Sequence, residues 1–144
     1  MADKDLHTLI RLRKWDVDEK QRALAVLLRH EESVIAKQAE LEAEIKAEMA
    51  FAAQLPADQR GTLTGYLKRC DGFRAALQAA LVDIRNRIAV AQDQLAEAFR
   101  RLKTFEVTQE QRDLAEEKEE ARLETIMLDE IGLNLHRRKS APAN

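Results

Sequence analysis

The sequence predicts an all-α protein, two long helices folded into an antiparallel coiled-coil hairpin. Three observations predict it. Thirteen positions from Leu63 to Phe105 (Leu63, Leu67, Cys70, Arg74, Leu77, Leu81, Ile84, Ile88, Ala91, Leu95, Ala98, Leu102, Phe105) alternate spacings of four and three without a slip, and only Arg74 among them is polar. Such a 3.5-residue apolar repeat describes a helix burying a narrow seam against another helix. Glycine and proline, the residues that break helices, are absent from residues 1–55 and from residues 73–131. The composition agrees: 35% of the 144 residues are charged and 4% are aromatic, with only 4 glycines, as in long helices rather than mixed sheets.

The first helix is expected over about residues 4–55. Leu6, Ile10, Val17, Leu24, Leu27, Val34, Leu41, Ile45, Ala52 and Leu55 fit one heptad frame, interrupted by Arg13, Lys20, Glu31, Gln38 and Glu48. Isolated polar residues in a seam weaken it but can fix its register. Pro56 lacks an amide hydrogen and clashes with the preceding turn, so this helix ends near Leu55.

The turn is expected at about 56–62, where Pro56 and Gly61 lie close together. A short break between two seam-bearing helices favours an antiparallel pair. Thr62 and Thr64 are candidate caps for the second helix, and Asp71 is a later alternative start. Gly65 and Gly72 weaken the beginning of that helix.

The second helix is expected over about 63–136, in a single domain covering 1–139, with 140–144 a disordered tail. Folding about residue 59 brings Leu6 near Arg112. The next positions of the seam period (Gln109, Arg112, Glu116, Glu119) are all polar, so the second helix loses its seam where the first runs out. A parallel dimer of one bent helix is the rival arrangement, and it leaves that coincidence unexplained.

Beyond the seam the charge is uneven. Residues 106–130 hold ten acids and three bases, whereas 136–139 read HRRK. Apolar residues return at Leu123, Ile126, Met127, Leu128, Ile131, Leu133 and Leu135, with no helix in the hairpin long enough to reach them. Apolar surface of this kind marks a partner site. The expected partner-binding residues are therefore Ile126, Met127, Ile131, Leu133, Leu135, Arg137, Arg138 and Lys139, together with Leu6, Ile10 and Arg13 on the first helix. Gly132 lowers helix propensity beyond Ile131.

No chemistry-bearing motif emerges. His7, His30 and His136 are far apart, and the one cysteine, Cys70, occupies a seam position as a small apolar residue. There is no glycine-rich phosphate loop, nucleophile elbow or zinc spacing. Enzyme activity, a cofactor and a metal are not expected. The net charge of −2 gives no overall attraction to nucleic acid, so the basic groups around Trp15 and at Arg100, Arg101 and Lys103 are not read as a nucleic-acid site. No segment has the apolar length of a membrane span, and the N-terminal segment is unlike a secretory signal, so a cytosolic location is expected.

Four segments carry a resemblance: the opening LHTLIRLRKWDVDEKQRALA, the turn LTGYLKRCDGFRAAL, the long glycine-free second helix, and the ending EEARLETIMLDEIGLNLHRRK, with Asp129-Glu130 after an apolar residue and before a basic end. Together they resemble the FliJ family of flagellar export proteins and its YscO-type relatives in injectisomes. The resemblance implies a soluble, non-enzymatic stalk-like accessory of the type III export apparatus. The partners it implies are the hexameric export ATPase, the cytoplasmic domain of the export gate and the chaperones of late substrates. It implies a place at the cytoplasmic face of the apparatus, associated with the membrane only through those partners. A generic cytosolic coiled-coil scaffold and a holdase-like chaperone are the competing readings of the same residues.

Overall fold

A computed structural model describes residues 6–141. Its elements are helix α1, His7–Ala53, a single 3-10 turn, Ala57–Gln59, and helix α2, Leu63–Ser140. No strand occurs among the described residues. The expected start of the first helix near residue 4 and part of the expected tail, residues 142–144, lie outside the described residues. The two helices pack against each other as an antiparallel hairpin. Their internal contacts divide into two units, Trp15–Phe99 and the pair of segments Met1–Lys14 and Arg100–Asn144.

The unit Trp15–Phe99 contains the turn and most of the seam. Val34 of α1 packs with Leu81, Ile84 and Ile88 of α2, and Leu24, Leu27 and Leu77 complete the cluster. Ile84 is the most enclosed, at 2% exposure. Every apolar residue of the α2 frame is buried or half-buried, and Arg74 is exposed. The side of a two-helix layer is open to water, which is why the seam tolerates a charge here. The Arg74 guanidinium donates to both carboxylate oxygens of Glu42 at 2.6 and 2.8 Å, and to Asp71 at 3.1 Å. This fork geometry fixes register, although an exposed pair adds little stability. Glu42 is held below the usual carboxylate range by the Arg74 hydrogen bond, against a smaller opposing cost of desolvation.

Two of the polar intruders of α1, Glu31 and Gln38, find hydrogen-bond partners across the seam. Arg85 donates to Glu31 at 3.2 Å, and the Gln38 amide donates to Gln78 at 3.4 Å. With Glu42 and Arg74, these pairs place the fold of the chain near residue 58. The expected pairing about residue 59 is therefore met to within a residue or so.

Helix α1 closes with i→i−3 bonds, from Gln54 N–H to Phe51 O and from Leu55 N–H to Ala52 O. Arg60, across the turn, donates to the carbonyls of Leu55 and Ala53 at 2.9 and 3.1 Å. It thereby satisfies carbonyls that the end of a helix leaves without a partner. Helix α2 starts at Leu63, with the Thr62 carbonyl accepting from Tyr66 N–H, and Asp71 lies inside it. Gly65, Gly72 and Gly132 all sit within α2 with open space where a Cβ would be, and none has a positive φ. Glycine lowers helix propensity by about 1 kcal/mol relative to alanine but does not forbid helical backbone. The helix accordingly passes through Gly132 and continues to Ser140.

Candidate functional site

The second unit holds the start of α1 and the last part of α2. Its central feature is Gln109, which occupies the position after Phe105 in the seam period and is 8% exposed. Its side-chain oxygen accepts from the backbone N–H of Leu6 at 2.9 Å, and its side-chain nitrogen donates to Asp113 at 2.8 Å. Leu6 stands immediately before α1. In a capping box, Glu or Gln at the third helical position reaches back to this amide. That position here is Leu9, which cannot. Gln109 supplies the missing acceptor from the opposite helix, 103 residues away in sequence.

Two turns further along α1, the Arg13 guanidinium lies over the Phe105 ring, 5.5 Å from its centroid. A guanidinium over an aromatic face is attracted by the ring quadrupole. The Arg13 Nε is buried without a hydrogen-bond partner.

Beyond Gln109 the character of α2 changes. Every residue from Glu110 to Ala141 is exposed. This stretch is acidic first and then apolar, with Met127 at 62% and Leu128 at 67% exposure among large hydrophobic residues that also include Leu123, Ile126, Ile131, Leu133 and Leu135. It ends on Arg137, Arg138 and Lys139 in the last helical turn. Cations there oppose the partial negative charge of the helix C-terminus, which helps the helix persist beyond Gly132. Glu119 is held below its usual range by a hydrogen bond from Arg122, which spans one turn of the acidic stretch.

The partner-binding residues expected from sequence thus separate. Ile126, Met127, Ile131, Leu133, Leu135, Arg137 and Arg138 are exposed on α2. Leu6 and Arg13 are half-buried and already engaged with Gln109 and Phe105. Ile10 is a correction: at 8% exposure it belongs to the core, because it lies on the seam period of α1 and points into the helix pair. Gln109 was not foreseen as a structural residue. Polarity at a seam position signals loss of seam equally well, and nothing local to Gln109 identifies an amide so distant in sequence.

Among the described residues no group of histidine, cysteine and acidic side chains is arranged to hold a metal, and no helix is long and apolar enough to cross a membrane. Comparison with curated proteins and with solved structures gave no match. The family model described as "Flagellar FliJ protein" matches residues 2–141, nearly the whole chain. The chain therefore belongs to the FliJ family of flagellar proteins, whose role is connected with flagellar protein export.

Proposed function

We propose that this chain is a non-catalytic, stalk-like accessory of the flagellar export apparatus, and that the exposed end of α2 engages the hexameric export ATPase. On this reading the protein acts at the cytoplasmic face of the apparatus and also contacts the cytoplasmic domain of the export gate and export chaperones. The observation that carries the proposal is the continuous exposure of Leu123–Lys139 in a helical segment rich in large apolar residues. At 100° per residue, Leu123, Ile126, Met127, Leu128, Leu133 and Leu135 are spread around much of the helix circumference. A partner that surrounds the helix, as the pore of a ring does, covers such a distribution better than a single flat groove. Arg137, Arg138 and Lys139 add attraction to an acidic lining, which acts mainly on the association rate, while the apolar anchors govern dissociation. Leu6 and Arg13 belong to the same unit and would flank the contact. Ile10 would support them from within the core.

The test compares the full chain with a chain lacking residues 123–144 for binding to the purified ATPase hexamer, with circular dichroism reporting the fold. Loss of binding and of ATPase stimulation, with helical structure and cooperative unfolding retained, is the expected result. Unchanged affinity of the shortened chain would remove the end of α2 from the contact.

A further inference from the structure

The exposed end of α2 also carries a pattern that goes beyond binding to a ring. Glu124 and Arg138 are 14 residues apart, two heptads, so they lie within about 40° of each other on the helix surface. Ile131 is midway between them. Met127 and Leu135 lie four residues to either side of Ile131, on the same face. All five are exposed helical residues. Along this face the apolar groups are symmetric about Ile131, and the charges are opposite in sign at equal distances from it.

We propose that this face pairs with the same face of a second copy of the chain, antiparallel, with a two-fold axis beside Ile131. A two-fold contact uses one patch on both copies and must therefore be self-complementary. Reversing the direction of the second helix places Ile131 on Ile131 and Met127 on Leu135. It also places Arg138 of each copy on Glu124 of the other. A parallel alignment sets Glu124 against Glu124 and Arg138 against Arg138, so charge selects the antiparallel pair. The one mismatch is Leu128, whose counterpart is Asn134. The contact spans 15 residues on each copy, about 21 Å of helix. That is small for a stable dimer, so the association is weak and reversible. It hides Ile131 and Leu135, and any other partner of this face competes with it. The proposal does not depend on the ATPase reading, because the chain alone suffices to test it.

The experiment is sedimentation equilibrium of the full chain across a dilution series reaching about 1 mM, repeated for Glu124→Arg, Arg138→Glu and the double exchange. A monomer–dimer equilibrium is expected. Each single reversal affects both charge pairs of the dimer and should weaken it about tenfold, whereas the double exchange restores it. Raised salt should weaken the wild-type dimer and leave the monomer helical. A chain that stays monomeric throughout the series overturns the proposal. So does a dimer whose dissociation constant is the same in all four proteins, since it then forms through another surface.

Discussion

Ile84→Ala removes three carbon atoms from the most enclosed side chain of the molecule, which is 2% exposed and packed among Val34, Leu81 and Ile88. At roughly 0.8 kcal/mol per buried methylene, the lost transfer free energy is about 2.4 kcal/mol. A cavity in a globular core adds to this and carries comparable substitutions to about 5 kcal/mol. A two-helix layer is bounded by water on both sides, so neighbouring side chains and solvent fill the gap and the cavity contribution is small. The expected loss is therefore about 2.5–3 kcal/mol, a fall in Tm of roughly 5–12 °C for a chain of this size. Val82→Ala is the control: Val82 is two residues away on the same helix but 51% exposed, and its truncation should cost less than about 0.5 kcal/mol. Urea unfolding followed by circular dichroism at 222 nm measures both. Equal midpoints for the two variants would refute the assignment of the seam and the burial argument built on it.

Three further outcomes follow from particular contacts. Gln109→Ala should remove the acceptor for the Leu6 amide and cost about 1 kcal/mol, read as faster hydrogen exchange over His7–Ile10 with little change at Ile84. Arg60→Ala should leave the carbonyls of Leu55 and Ala53 to water and speed exchange at the end of α1 without altering helix packing elsewhere. The Glu42 carboxyl should titrate below the usual range by NMR and return to it in Arg74→Ala. A depressed folded-state pKa means that the contribution of Glu42 is present above its unfolded value and is lost as pH falls through the folded one. The acid limb of the stability profile should therefore flatten in Arg74→Ala, and an unmoved Glu42 titration in that variant would contradict the pair.

The hairpin was legible in the sequence because a coiled-coil seam is a one-dimensional signal. Leu81, Ile84 and Ile88 are buried for the reason their spacing gives, and the clustering of Pro56 with Gly61 marks the turn. The end of the seam near residue 109 was also legible, since polarity begins there. The meaning of that polarity was not. Gln109 looks like a residue without a partner, yet it caps the other helix, and such a bond depends on a match between residues remote in sequence. Arg74 raised the same difficulty in milder form: its spacing says intruder, and only the structure supplies Glu42 as its partner on the open side of the seam. Ile10 shows the opposite error. Its apolar character at the start of α1 suits a partner surface and a core equally, and the seam period, which places it inside, was the better guide. The second helix, expected to about residue 136, runs on to Ser140, because one glycine costs little in a helix whose last turn carries three cations.

The claim that the exposed end of α2 meets the export ATPase is tested most directly by site-specific photo-crosslinking. A photoreactive phenylalanine analogue placed at Leu133, and separately at Val82, compares two exposed apolar positions, one in the proposed contact and one on the seam-bearing part of the same helix. On irradiation with the ATPase hexamer, the probe at residue 133 should capture the ATPase and the probe at residue 82 should not. Capture from residue 82 with none from residue 133 would contradict the account.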